Sequence, residues 1–469
     1  MKKNLIYNII YQLLILILPL ITMPYVSRVL GADGIGTYSY TYSIAYYFMI
    51  FGMLGLNNYG NRTIAKVRDD KDKLSKEFCS IYIFQLITTS AMIILYFIYI
   101  LVFFEQYRYI AIIQSMYVIS SMFDINWFFF GIEKFKLTIT RNTFIKVLSL
   151  VLIFTFVKTV EDVWKYTAIL AGSTLFSNII LFSFLKRYVK FTKINKYDVF
   201  KHFKPNLILF LPVIAVSLYK IMDKIMLGYM STVTEVGYYE NSEKIISVPI
   251  AIITAIGTVM LPRMSNMISN NQEEKVKEFL DKTMNIIMCF AFPMMFGLNA
   301  ISRDFSIIYF GANFEKTGIL IQLLSITIIF LSWGNVIRTQ YLIPKEMDRE
   351  YITSAFFGAI VNFFMNIIFI PKYQAIGACF GTICAEFIVA FYQTFVVRKD
   401  LTIKKYIKDA FPFLIKALIM YIIIIVIGKN IILPKKIKLI LQIFAGVLIY
   451  AMLNVKYILY VIKTRKEII

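Results

Sequence analysis

The residues of this sequence whose chemistry stands out are ionisable groups set inside long apolar runs. Arg28 follows a run carrying Pro19 and Pro24 and precedes the glycine-rich turn Gly31-Ala32-Asp33-Gly34-Ile35-Gly36. Lys220, Asp223, Lys224, Glu240, Glu243 and Lys244 flank the matching turn in the second half, Asp124 and Glu386 lie deep in two further runs, and Lys416 lies in another. A charge at mid-membrane costs at least about 2.5 to 3.5 kcal/mol, so each needs a partner or a watery cavity. The clustered cations predict an anion-binding site built from Arg28, Lys220, Lys224 and Lys244. A buried carboxylate can carry a coupling proton or bind Na⁺, and the candidates for that role are Asp124, Asp223, Glu240 and Glu386. Plainer readings stand beside these: snorkelling at helix ends, local pairs of Asp223 with Lys224 and of Glu240 with Lys244, and a structural pair of Glu386 with Arg338. Lys416 is expected to snorkel or to touch lipid phosphate.

Other chemistries are disfavoured by what the chain lacks. His202 is the single histidine and is expected in a basic loop, which leaves no His-based triad and no imidazole cluster. Cys79, Cys289, Cys379 and Cys384 fall in apolar runs without C-x-x-C spacing, so they read as packing residues; neither a disulfide framework nor a metal site is expected. No cofactor is expected beyond H⁺ or Na⁺ as a coupling ion.

The elements that position these residues are membrane helices. In 469 residues the hydrophobic share is 59% and the mean hydropathy is +0.70, too apolar for a soluble domain. Runs of about twenty apolar residues recur, each long enough to cross about 30 Å of hydrocarbon, whereas a β-barrel would show alternating segments of about ten. The fold class is an all-α polytopic membrane protein. Fourteen spans are expected, at about 5-24, 37-60, 79-104, 109-130, 142-158, 164-185, 205-228, 239-262, 281-300, 317-340, 351-371, 374-397, 410-428 and 437-461. Both termini then face the cytoplasm. The formal charge of +22 comes mostly from loops on that side, such as Arg62 to Lys76, Lys186 to Lys204 and Arg398 to Lys408, so no nucleic acid is implied. The basic loop holding Lys429, Lys435, Lys436 and Lys438 is the exception. Met-Lys-Lys leading into a run without a small-residue cleavage motif reads as an uncleaved first span.

The chain also reads as a duplication. Gly36, Tyr38, Arg62, Lys76, Glu77 and Phe78 match Gly237, Tyr239, Arg263, Lys277, Glu278 and Phe279 at one fixed offset. Lys165-Tyr166-Thr167-Ala168-Ile169 resembles Lys372-Tyr373-Gln374-Ala375-Ile376. Two pseudo-symmetric six-helix lobes around a central cavity follow, with residues 1-190 and 205-400 as the lobes, 191-204 as a basic cytoplasmic linker and 401-469 as two extra helices and a tail. Asn57, Asn58, Asn126, Asn362 and Asn366 are expected to bond helices together, and Trp127 to Phe130 to lie in an interfacial aromatic belt.

Four separated motifs point to a family. Ser27-Arg28-Val29-Leu30-Gly31 with Gly36-Thr37-Tyr38, the stretch Asp124 to Phe135, Gln340-Tyr341-Leu342-Ile343-Pro344, and Asn362 to Asn366 leading into Ile370-Pro371-Lys372-Tyr373 and Ile376-Gly377-Ala378 resemble the Wzx-type polysaccharide repeat-unit flippases. The resemblance implies the fold of the multidrug and polysaccharide exporter superfamily. It also implies a substrate, an oligosaccharide repeat unit on undecaprenyl pyrophosphate moved from the inner to the outer leaflet of a bacterial cytoplasmic membrane for capsule or O-antigen-type polysaccharide. Arg28 is carried over by motif, and Lys220, Lys224 and Lys244 join it as expected pyrophosphate contacts. Expected partners are the lipid-linked substrate, membrane lipids, and the glycosyltransferases and polymerase of the same pathway. Two alternatives stand: a cation-coupled multidrug exporter of the same superfamily, and a membrane enzyme such as a polymerase or acyltransferase. A large outer loop or a histidine site would favour the enzyme, and neither is evident in the sequence, so no enzymatic activity is expected.

Overall fold

The computed structural model describes residues 2–463, without the side chains of 2–16, 219, 259 and 462. Among the described residues all regular structure is helical, as the hydrophobic runs require: in lipid a helix satisfies its own backbone polar groups. The chain forms two compact units, Met1–Ser217 and Leu218–Ile469.

The first unit contains α1 (Lys2–Met53), α2 (Leu56–Val67), α3 (Lys71–Phe103), α4 (Arg108–Met122), α5 (Asn126–Gly131), α6 (Phe135–Phe156), α7 (Val163–Leu185) and α8 (Lys196–Phe200). Gly31 breaks α1 into two helices, with φ 68° and ψ −179°, a conformation open essentially to glycine alone. Asp70 caps α3 by accepting the N–H groups of Asp72 and Lys73, which fixes the loop between α2 and α3.

The aromatic belt expected at Trp127 to Phe130 is not there. Trp127, Phe128 and Phe129 are fully buried among Leu56, Ile64, Phe78, Phe84 and Leu181. The indole N–H of Trp127 donates to Gln85 Oε1 at 2.9 Å, and Gln85 Nε2 donates to the carbonyls of Ser121 at 2.7 Å and Asp124 at 3.0 Å. A buried amide thus satisfies both the indole and the broken end of α4, so these rings build the core of the unit. His202 lies, as expected, in the basic turn between Phe200 and Phe203, but its side chain is not in solvent. It is buried between Tyr59, whose hydroxyl lies 2.7 Å from Nδ1, and Ser80, whose hydroxyl lies 2.8 Å from Nε2.

Helix α9 (Phe203–Met230) carries the chain into the second unit, which contains α10 (Val233–Ser269), α11 (Glu273–Phe310), α12 (Glu315–Leu324), α13 (Thr327–Ile337), α14 (Asp348–Tyr373), α15 (Ala375–Val397), α16 (Ile403–Asn430), α17 (Lys435–Leu453) and α18 (Val455–Lys463). A π-helical turn, Arg338–Leu342, prolongs α13. The duplication is visible in the breaks. Thr232, which caps α10, stands 201 residues after Gly31, and the bend between α12 and α13 falls at the same offset as the gap between α4 and α5. Helices α7 and α15 begin at Val163 and Ala375, 212 residues apart. The short motif at Lys165 and Lys372 therefore pairs positions five residues out of register, because small apolar residues recur in both helices.

Among the described residues ten helices are long and apolar enough to cross a membrane, or up to eleven if the bent α12–α13 pair counts as one span. This is compatible with fourteen, since α1 covers two expected spans across Gly31 and α4 with α5 covers another. Exposed apolar stripes, such as Phe144, Val147, Leu148 and Val151 on α6 and Phe387, Phe391 and Phe395 on α15, are the faces that acyl chains cover.

Candidate functional site

The densest polar cluster in the second unit is built on Asp223. This residue lies on α9, 1% exposed. Asn366 on α14 donates from Nδ2 to Asp223 Oδ1 at 2.6 Å. Tyr239 Oη on α10 and Thr382 Oγ1 on α15 each lie 2.8 Å from Asp223 Oδ2 and 2.8 Å from each other. Asn366 Nδ2 also donates to Asn362 Oδ1 at 3.2 Å, and Thr382 Oγ1 to the carbonyl of Ala378 at 3.0 Å. Four helices are thus tied to one carboxylate. The local pair of Asp223 with Lys224 does not form: consecutive residues on a helix point about 100° apart, and Asp223 turns inward to α14 and α15. Asn366 does bond helices together, as expected, whereas Asn362 bonds Asn366 on its own helix, and Asn362 Nδ2 and Asn366 Oδ1 are left buried without a hydrogen-bond partner among the described residues.

Lys224 points into a second cluster. Its Nζ lies 2.7 Å from Glu240 Oε2 and 2.9 Å from Glu243 Oε2, and Lys244 Nζ lies 2.9 Å from Glu240 Oε1. Two cations and two carboxylates balance one another, and the expected Glu240–Lys244 pair at i, i+4 is among these contacts. The side chains of Lys224 and Glu240 are each only 12% exposed, where an ion pair is screened far less than at a wet surface.

Glu386 on α15 is 6% exposed and makes no hydrogen bond or ion pair among the described residues. The expected salt bridge to Arg338 is absent. The positive charges acting on Glu386 are Lys220 first and then Arg338, opposed by Asp223 and Glu243. Lys220 is exposed.

In the first unit Arg28 is exposed on α1, on the face that also exposes Ile17 and Ile21. Asp124 does not sit within a continuous fourth span but in the gap between α4 and α5. There its Oδ1 accepts the backbone N–H of Asn126 at 3.1 Å and Asn126 Nδ2 at 2.6 Å, so it satisfies the first backbone donor of α5. Asn126 Oδ1 in turn accepts from Arg141 Nη2 at 3.0 Å, and Arg141 Nη1 donates to the carbonyl of Ser177 at 2.8 Å. Arg141 is 8% exposed, and with Lys146 it was missed from sequence. The expected fifth span began at Asn142, which assigned Arg141 to a loop; α6 begins at Phe135 and places both charges within the helix.

Among the described residues, no group of three or more His, Cys, Asp or Glu side chains could hold a metal ion. In the Asp223 cluster the groups that face the carboxylate are the Asn366 amide nitrogen and the Tyr239 and Thr382 hydroxyls.

Long apolar helices with charges held inside them define a multi-pass membrane protein of transporter type. Residues 1–268 match the family described as "Polysaccharide biosynthesis protein", and the chain belongs to that family. It is similar to the "Putative O-antigen transporter" of Escherichia coli K12, 22% identical over 408 residues, covering 85% of this chain and 97% of the relative. Among solved structures, "Lipid II flippase MurJ, inward closed conformation" superimposes with a TM-score of 0.76 at 16% identity, covering all of both chains. "Inward-facing conformation of a multidrug resistance MATE family transporter of the MOP superfamily" does so with a TM-score of 0.58 at 14% identity, over 78% of this chain and 92% of that one. The chain therefore has the MurJ and MATE fold, and the motif resemblance to Wzx-type flippases agrees with its family.

Proposed function

We propose that this protein flips an undecaprenyl-pyrophosphate-linked oligosaccharide repeat unit from the inner to the outer leaflet of a bacterial cytoplasmic membrane, for a capsule or O-antigen-type surface polysaccharide. The observation that carries the reading is an exposed cation, Lys220, one turn before Lys224 on α9, in a chain of the polysaccharide biosynthesis family. A cation there has an anion to meet. Lys220 contacts the pyrophosphate, and Arg28, on the face of α1 that also exposes Ile17 and Ile21, is a separate contact carried over from the motif resemblance. Lys224 and Lys244, balanced by Glu240 and Glu243, hold the local field and join the anion site as those pairs exchange. Sugars lie in the polar interior, the polyprenyl chain stays in lipid, and both termini remain cytoplasmic. Glycosyltransferases and a polymerase act before and after this step.

The electrical driving force is sufficient to set direction. A pyrophosphate diester carries about two negative charges, and an inside-negative potential favours outward movement by about 2.3 kcal/mol per charge per 100 mV, roughly 4.6 kcal/mol in all. Entry of H⁺ or Na⁺ through Asp223 or Glu386 adds a second driving force. The test is flipping of the lipid-linked repeat unit in proteoliposomes. Arg28→Ala and Lys220→Ala lower the rate at normal expression and folding; wild-type rates in both variants would remove the anion site from the mechanism.

A further inference from the structure

Lys146 stands midway along α6, eleven residues from Phe135 and ten from Phe156, and its side chain is exposed. The exposed apolar stripe of that helix, Phe144, Val147, Leu148 and Val151, marks the face turned to acyl chains. At about 100° per residue, Lys146 projects about 150° away from the middle of that stripe. Its exposure is therefore not to lipid, where an ammonium at this depth would be strongly disfavoured. It opens on the inner side of the unit, on the same face as Asn142 and Ser149.

That inner side is aromatic as well as cationic. Tyr38, Tyr42 and Tyr46 follow one another at every fourth residue of α1, with ring centroids 5.8 and 6.2 Å apart, and Tyr42 projects about 180° from the exposed Phe51. Tyr117 and Tyr166 close the cluster: the Tyr117 ring lies 4.9 Å from Tyr42, its hydroxyl lies 2.9 Å from that of Tyr38, and the Tyr166 ring lies 5.0 Å from Tyr38. Helix α7 joins the two features. Ser149, one turn from Lys146, donates to Ser173 on α7 at 2.9 Å, and Tyr166 on the same helix packs against Tyr38. Tyr42 and Tyr46 are only half-buried, so ring surface remains available.

We infer that this face of the first unit is a sugar-phosphate subsite, in which Lys146 meets a phosphate and the Tyr42–Tyr46 ladder receives the apolar face of the first pyranose. A tyrosine ring offers a flat apolar surface with a polar edge, which matches a sugar that has C–H groups on one face and hydroxyls at its rim. This deepens the proposed function and rests on its reading of the substrate.

The test uses the full chain in nanodiscs with two probes, farnesyl pyrophosphate and the same molecule carrying N-acetylglucosamine on its terminal phosphate. Dissociation constants are read by thermophoresis. The wild type is expected to prefer the sugar-bearing probe by about tenfold. Tyr42→Leu with Tyr46→Leu removes that preference and leaves farnesyl pyrophosphate binding unchanged, whereas Tyr42→Phe with Tyr46→Phe retains it. Lys146→Gln weakens both probes by about tenfold, and Lys146→Arg does not. Equal wild-type affinity for the two probes, a retained preference in the leucine pair, or wild-type binding in Lys146→Gln would overturn the subsite alone. Failure of the wild type to bind either probe would overturn the substrate reading and the subsite with it.

Discussion

Glu235 accepts the backbone N–H of Ala375 through Oε2 at 3.1 Å, while its Oε1 lies 2.5 Å from Lys316 Nζ. One carboxylate on α10 thereby satisfies an orphan donor at the start of α15 and holds the first turn of α12. The first unit has a glycine at the corresponding position. Gly34, 201 residues before Glu235, lies so close to Val163 at the start of α7 that an added Cβ would stand 2.8 Å from Val163 Cγ2. Removal of the acceptor by Glu235→Ala is expected to lower stability by about 1.5–3 kcal/mol, the range for hydrogen bonds to charged groups. Glu235→Gln keeps the size and one acceptor and loses less. Thermal unfolding in detergent distinguishes the two.

The packing of α14 against α15 leaves no space at Gly381. A Cβ there would run into Asn366 Oδ1, with Asn362 Nδ2 at 3.4 Å, and Asn366 is the residue that donates to Asp223. Gly381→Ala should therefore displace the Asn366 amide, destabilise the protein by about 1–3 kcal/mol through overpacking, and alter cation dependence without touching a charge. Retention of wild-type stability and wild-type cation response would contradict the geometry.

Asp223 and Glu386 sit in opposite environments, one fully hydrogen-bonded and one without a hydrogen-bond partner among the described residues. Of the two carboxyls proposed for coupling, the hydrogen-bonded Asp223 is assigned to Na⁺ and the unbonded Glu386 to a proton. Flipping in proteoliposomes under imposed gradients separates them: Asp223→Asn is expected to flatten the response to Na⁺, and Glu386→Gln the response to H⁺. An unchanged response removes the residue concerned from coupling.

Trp127 offers a test of the core itself. A belt tryptophan at the interface tolerates truncation, but Trp127 is fully enclosed and bonded to Gln85. Trp127→Ala should cost about 3–5 kcal/mol, as buried aromatic truncations do. A loss below about 1 kcal/mol in detergent unfolding would return the residue to the lipid interface.

Much of the fold was legible because its causes are local. Apolar length locates helices, and the Gly31 break and Thr232 cap recur at the offset that Gly36, Tyr38 and Phe78 share with their counterparts. Packing partners were not legible. Trp127 to Phe129 have the composition of a belt, and only the enclosing Leu56, Ile64, Phe78 and Leu181 make them core. The site divided in the same way. The charges of α9 and α10 were found as a group, but their pairing depends on helix azimuth, which turns Asp223 toward Asn366 and Lys224 toward Glu240 and Glu243. Arg141 was missed because the expected fifth span began one residue after it, and Lys146, inside that span, was not singled out from its apolar neighbours.

The most direct measurement uses proteoliposomes holding the purified protein and a fluorescent undecaprenyl-pyrophosphate oligosaccharide, with an imposed membrane potential and an impermeant glycosidase outside. Protein-dependent exposure of the sugar that accelerates when the interior is negative, and slows when the potential is reversed, is the result predicted. Cleavage at the protein-free rate under either potential, with folded protein present, would contradict the account.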